Sequence, residues 1–331
     1  MSQVCIRGVG CYVPEACLTN QEIATRLGVT EDYIVKLTGV RERRRAAPQE
    51  ATSDMAVLAA QAALQDAGLD PEAIDGVLVA TATPDHVTPS TANLVQRRLG
   101  LRSVPTYDLN AGCTGSLYAL ITASGLIQAG VCGTMLVIGA ELVSRIVDLD
   151  DPETALVFGD GAGALVVQAG AGQRGDLRLL SHLWGSDGAK ADLIMVPAGG
   201  SRCPASRETV DKGQHFLRMN GSSVFRFAVR TLPVLVQDVL AQAGRSLADL
   251  QLLIPHQANW RIIEAAMRKL PFDLDKTVVN IDRYGNTSAA SVLLALGEAR
   301  QQGRLQPGTT TVLAAFGAGL TWAAVALEVV V

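Results

Sequence analysis

Charge is scarce in this chain: only 18% of its 331 residues are Asp, Glu, Lys or Arg, against 48% hydrophobic. Disordered chains have the opposite balance, so this composition excludes disorder and supplies a large core. At this length roughly 75% of the unfolded surface disappears on folding. Basic charge is not in excess either. The net charge of −4 excludes a broad electrostatic attraction to nucleic acid. CxxC pairs are absent: the cysteines at 5, 11, 17, 113, 132 and 203 suit neither a disulfide frame nor a metal site, and read as reduced thiols. Met1 to Gly8 lacks the basic region and long apolar stretch of a signal peptide. The most apolar segment, Thr134 to Val143, is far too short to cross a membrane and carries Glu141. A cytoplasmic protein with no membrane partner is expected.

Strand-length apolar runs alternate with Ala-rich segments of helical period, the pattern of an α/β fold. Val77–Ala80, Met135–Ile138 and Val312–Ala315 read as strands buried on both faces. Ser53–Ala67 and Val234–Ala243 read as helices, and Ala155–Phe158 and Ala164–Val167 as further strands. The two halves of the chain echo each other. After Cys113 come a small-residue helix, Gly133-Thr134, a buried strand and Gly139-Ala140-Glu141. After Asn286 come a similar helix, Gly308-Thr309, a buried strand and Phe316-Gly317-Ala318-Gly319. This self-similarity predicts duplicated halves, residues 1–175 and 176–331, with helix N-termini of both meeting at one site. The polar stretch from Gly199 to Gly213 reads as a surface excursion.

Cys113 lies in Leu109-Asn110-Ala111-Gly112-Cys113-Thr114-Gly115-Ser116, between an apolar run and a small-residue helix. A thiol at a helix start is expected to be favoured as thiolate by the dipole and the unpaired amides. Downstream, His256 lies in Pro255-His256-Gln257-Ala258-Asn259 and Asn286 in Gly285-Asn286-Thr287-Ser288. A Cys, a His and an Asn in short polar patches point to covalent acyl chemistry. Gly-Asn-Thr-Ser also reads as a turn or N-cap, a role compatible with presenting the Asn286 amide. Gly159-Asp160-Gly161-Ala162-Gly163-Ala164 fits a dinucleotide fingerprint superficially but lacks the helix that motif needs, so it reads as a structural turn. Arg41, Arg43, Arg44 and Arg45 read as a solvated, ion-paired face.

The strings around Cys113, His256 and Asn286, with Phe158–Ala164, Phe316–Trp322 and Thr38-Gly39-Val40-Arg41-Glu42-Arg43, resemble the 3-oxoacyl-(acyl carrier protein) synthase III family of the thiolase superfamily. The resemblance runs end to end. It implies a five-layer αβαβα sandwich of two duplicated halves, a homodimer, and a ketosynthase with no bound cofactor and no metal. It implies that Cys113 takes an acyl group from a thioester, and that His256 and Asn286 then stabilise the enolate formed as a malonyl thioester loses carbon dioxide. Backbone N–H groups of Cys113 and Ala318 would form the oxyanion hole, Ala318 standing where the family usually has glycine. Thr88 and Leu320 would belong to the acyl pocket, with Thr88 on a loop that reaches into the partner subunit in typical members. A threonine in place of a large aromatic residue there leaves room for a longer chain and suits secondary-metabolite members.

In typical members a Trp and two Arg hold the adenine and phosphates of coenzyme A. The matching positions are Tyr33, Leu37 and Pro152, which together with Asn259 mark the pantetheine region. Arg226, Arg261, Arg268 and Lys269 match the family's carrier-protein docking patch. A clamp lost beside a patch kept implies that acyl carrier protein delivers both substrates. The alternative readings are transfer to an alcohol or amine, joining of two carrier-bound β-keto chains without decarboxylation, and a catalytically silent partner subunit.

Overall fold

The computed structural model describes residues 3–331; Met1 and Ser2, part of the Met1–Gly8 segment read above, lie outside the described residues. The first half of the chain contributes β1 (Val4–Tyr12), β2 (Gly76–Ala80), β3 (Thr106–Leu109), β4 (Thr134–Glu141) and β5 (Gly161–Ala169). The second contributes β6 (Leu177–Ser186), β7 (Leu252–Pro255), β8 (Thr310–Gly317) and β9 (Thr321–Val329). All nine join in the order β7-β8-β9-β6-β1-β5-β4-β2-β3. The seam is narrow: only Cys5 opposite Arg178 and Ile6 opposite Leu177 pair β1 with β6.

Outward from that seam the two sides repeat. One runs β1, β5, β4, β2, β3. The other runs β6, β9, β8, β7, and then a single parallel bridge from Leu253 to Thr277 where a fifth strand would stand. The directions repeat as well. β5 is antiparallel to β1 and β4, as β9 is to β6 and β8. β2 is parallel to β3 and β4, as β7 is to β8.

Seven helices complete the layers used here: α1 (Glu31–Thr38), α2 (Thr52–Ala67), α3 (Thr91–Leu99), α4 (Gly115–Gln128), α5 (Gly221–Gln242), α6 (Trp260–Lys269) and α7 (Ser291–Gln301). α4 and α7 share one core with strands of both half-sheets, including Leu117, Leu120, Val137, Leu293, Leu313 and Val325. The composition of α4 and of the first two turns of α7, Ser291 to Gly297, explains that place, since a segment with almost no charge on any face can be buried all round. α2 and α3 cover the other face of the first half-sheet, through Met55, Ala60, Val95 and Ile138. α5 and α6 cover the second, through Leu232, Val236, Ile263 and Val312. The result is five layers, helix–sheet–helix–sheet–helix, as the resemblance implies.

Four local expectations change. Ala155–Phe158 is not a strand: Pro152–Ala155 is one helical turn, started by Asp151 accepting from the Glu153 N–H (3.0 Å), and Phe158 makes a lone bridge to Asn286. Val234–Ala243 is the later part of the 22-residue α5, which begins at Gly221 under an Asn220 cap. The excursion between Gly199 and Gly213 holds a short helix, Arg207–Asp211. Arg43 is no solvated cation. It is 1% exposed and donates to Asn20 Oδ1 (2.7 Å) and Leu156 O (2.8 Å).

Candidate active site

Cys113 stands in a turn, Gly112–Thr114, between β3 and α4. The turn is tied to the β8–β9 hairpin: Thr114 Oγ1 lies 2.8 Å from Thr321 Oγ1, and the Thr321 hydroxyl is within reach of Ala111 O (3.2 Å) and Ala318 O (2.9 Å). The approach needs glycine. A Cβ on Gly317 would fall 2.7 Å from the Cys113 nitrogen and 3.0 Å from its Cβ. Glycine at 317 therefore lets the β8–β9 hairpin close onto the Cys113 turn.

His256 follows β7 and extends its parallel pairing, donating its N–H to Ala314 O (2.8 Å). The imidazole is 1% exposed and edge-on to Phe316, with ring centroids 5.4 Å apart. Its Nδ1 is 2.5 Å from the Ser291 hydroxyl at the start of α7. Burial without a carboxylate partner lowers its pKa to about 3, so the ring is neutral. Asn286 is set by backbone: its N–H donates to Val157 O (2.8 Å), and its C=O accepts from Gly159 (3.1 Å). Its side-chain oxygen accepts from the Ser288 N–H (2.8 Å), which leaves the amide NH2 as the donor edge.

These side chains line one cavity of about 150 Å³ with Gly112, Gly317 and Ala318. Val157, Ile194, Leu217, Met219 and Phe225 give it apolar walls, and such a setting strengthens any hydrogen bond to developing charge. The expectation of a resting thiolate fails. Burial pushes the Cys113 thiol up to about 12, opposed by the Ser288 hydroxyl and reinforced by the nearby Glu141 carboxylate. Desolvation of an anion exceeds what a helix start contributes.

Two cavity residues have no role in the reading of the sequence. Glu141 ends β4 fully buried, and accepts from Ala82 N (3.1 Å), Thr83 Oγ1 (2.8 Å) and Ser288 Oγ (3.1 Å). Ser288 holds φ +49°, a left-handed backbone rare outside glycine. The signal for Glu141 was a lone carboxylate closing an apolar strand; Ser288 had only the turn character of its string.

A groove of about 540 Å³ adjoins the cavity and shares Val157, Met219, Gly221, Phe225 and Asn259 with it. Tyr33, Leu37, Pro152, Arg226 and Arg261 line it. Asn259 caps α6, accepting from the Arg261 N–H (2.8 Å), and donates to Leu37 O (3.2 Å). Arg261 also donates to Lys36 O (2.6 Å). Arg268 and Lys269 lie on the exposed face of the same helix, with Arg268 paired to Glu264 (2.9 Å). Two residues do not meet the cavity of their own chain. Thr88 is on an exposed loop, and Leu320 is buried in a cluster with Phe227, Ile262 and Phe316. Among the described residues no cluster of three His, Cys, Asp or Glu side chains could hold a metal ion, and no helix is long and apolar enough to cross a membrane.

Family models described as 3-oxoacyl-[acyl-carrier-protein (ACP)] synthase III and its C-terminal part match residues 107–188 and 240–329. The beta-ketoacyl-[acyl-carrier-protein] synthase III of Symbiobacterium thermophilum is 46% identical over 98% of this chain and 97% of its own. The chain belongs to the 3-oxoacyl-[acyl-carrier-protein] synthase III family. The enzyme of the same name from Caldanaerobacter subterraneus is 46% identical over 96% of this chain and 95% of its own. The crystal structure of 3-oxoacyl-(acyl carrier protein) synthase III from Pseudomonas aeruginosa superposes with a TM-score of 0.91 at 41% identity, covering 99% of both chains. As a member of this family the protein is an acyl-transferring condensing enzyme of the thiolase fold.

Proposed function

We propose that Cys113 is the nucleophile that takes an acyl group from a thioester, and that His256 and Asn286 serve the condensation that follows. What supports this most is the convergence of the three side chains, from three separate segments, on one apolar-walled cavity at the end of a groove. The Cys113 and Ala318 N–H groups would hold the oxyanion of the tetrahedral intermediate. In the second half-reaction a malonyl thioester loses carbon dioxide, and the Asn286 NH2 and the His256 Nε2–H donate to the enolate oxygen. That assignment requires the Ser291 hydroxyl to donate to Nδ1, which places the ring proton on Nε2. Each such donor is worth about 3–4 kcal/mol of transition-state stabilisation. The enolate carbon then attacks the acyl-Cys113 carbonyl, and Cys113 leaves as the β-ketoacyl product forms.

The groove past Tyr33, Leu37, Pro152 and Asn259 would take the phosphopantetheine arm, and Arg226, Arg261, Arg268 and Lys269 the acidic surface of an acyl carrier protein. Tyr33, Leu37 and Pro152 offer no guanidinium to a coenzyme A phosphate, which favours the carrier as donor of both substrates. The repeated strand order supports the division at residues 175 and 176. In a homodimer the Thr88 loop would close the acyl pocket of the partner. Carbon dioxide release from a malonyl thioester, scored with the Arg261→Ala, Arg268→Ala double variant, tests the reading. Release with a raised KM for carrier-borne substrate is expected. Product without carbon dioxide would favour the non-decarboxylating alternative, and an unchanged KM would remove the docking patch.

A further inference from the structure

Glu141 is a fully buried carboxylate held by protein hydroxyls and an amide, one hydroxyl away from the nucleophile, and the two half-reactions leave it idle. Its cage is built: the Thr83 hydroxyl, the Ala82 N–H and the Ser288 hydroxyl all donate to it, at 2.8, 3.1 and 3.1 Å. Gly139, two residues earlier in β4, makes room for that cage, since a Cβ there would fall 2.5 Å from Ala289 O. Ser288 accordingly binds Glu141 on one side and lines the same cavity as Cys113. With the Ser288 proton committed to Glu141, its oxygen is free to accept the Cys113 S–H.

We propose that Glu141, acting through the Ser288 hydroxyl, receives the proton that leaves Cys113 when the enzyme is acylated. The Cys113 S–H proton passes to Ser288 Oγ as the proton of that hydroxyl passes to Glu141 Oε1. The products are a thiolate, an intact serine hydroxyl and a neutral carboxyl group. The thiolate adds to the thioester carbonyl and the C–S bond to the donor breaks. The proton then returns through Ser288 to the departing thiolate, so none is gained or lost over the half-reaction.

The competing acceptor is His256. Its Nδ1 is occupied by Ser291, and burial lowers it to about 3, whereas burial raises Glu141 to about 7. The same burial therefore makes Glu141 the stronger base of the two. Proton transfer also removes the buried negative charge that opposes the thiolate. Thr81, Ala82 and Thr83 after β2, and Ser288 and Ala289 before α7, face Glu141 with hydroxyls and amides. Cys113 is the titratable group that faces it among the described residues.

The inference rests on Cys113 being the nucleophile, so its test uses a probe that needs no thioester: the rate of Cys113 alkylation by iodoacetamide from pH 5.5 to 9, read by intact mass. In the parent enzyme the rate is expected to rise through an inflection near 7. Glu141→Gln and Ser288→Ala should each slow it about ten-fold or more at pH 7.5 and abolish the inflection, while Glu141→Asp restores part of both. Melting temperatures separate this from lost folding, and if Glu141→Gln does not fold, Ser288→Ala alone decides. A folded Ser288→Ala or Glu141→Gln enzyme that keeps the parent rate and inflection overturns the relay. Failure of the acyl-transfer reading alone would leave this alkylation profile in place.

Discussion

Two residue types that pass for interchangeable bases, a histidine and a glutamate, are driven in opposite directions here by the same cause. Burial favours the neutral form of each, so the imidazole loses its affinity for a proton and the carboxylate gains one. Neutral His256 suits donation to an enolate better than proton abstraction. His256→Ala is therefore expected to accept an acyl group on Cys113 yet lose about 10²–10³ in condensation rate; acyl-enzyme mass and product formation measure the two separately. Cys113→Ala should give no acyl-enzyme while circular dichroism and melting stay near those of the parent. Cys113, His256 and Asn286 were legible in the sequence because each sits in a polar string that breaks an apolar pattern. Glu141 was not, because a buried acid and a strand-terminal acid look alike until Thr83 and Ser288 are seen around it.

At the scale of elements, the site depends on turns that only small residues allow. Gly317 brings the β8–β9 hairpin against Cys113, and Gly139 admits the Ser288–Ala290 turn against β4. Gly139→Ala should destabilise the protein by about 1–3 kcal/mol, as added atoms in a packed interior do. By shifting Ser288 it should also slow acylation; unchanged melting and unchanged acylation together would show that the turn is not held there. The sequence made α2, β2, β4 and β8 readable through period and burial. It misread Ala155–Phe158, whose apolar run is strand-like but whose backbone is taken by Asp151 at one end and Asn286 at the other. It placed Arg43 at the surface, because only the fold shows the carbonyl of Leu156 waiting inside. Alternation of charge and apolarity reports burial on average, not the partners that make an exception tolerable.

For the whole molecule, the repeated order of strands puts α4 and α7 in one shared core between the half-sheets, so that the starts of the two helices carry Cys113 and the Asn286–Ser291 segment to one place. The echo between the halves was visible in the sequence. The narrow β1–β6 seam and the reduction of the last strand to one bridge at Thr277 were not, since pairing leaves no local mark. Burying a base and an acid in one site also shapes stability against pH. His256, lowered from 6.5 to about 3, makes the unfolded chain bind more protons across that window, so its contribution to stability rises with pH there. Glu141, raised from 4.5 to about 7, does the reverse between those values. Relative to the parent, Glu141→Gln should gain up to about 1.4 kcal/mol of stability per pH unit from about 4.5 to 7, and His256→Gln should lose as much from about 3 to 6.5. Denaturant unfolding across that range measures both.

The central claim, that a thioester acylates Cys113, is tested most directly by intact-protein mass after incubation with acyl carrier protein and coenzyme A thioesters, followed by peptide mapping. The account predicts one acyl group per chain, on the peptide carrying Cys113, absent from Cys113→Ala and transferred faster from the carrier protein than from coenzyme A. A chain that stays unlabelled by every thioester, or a Cys113→Ala variant that still takes label, would contradict it.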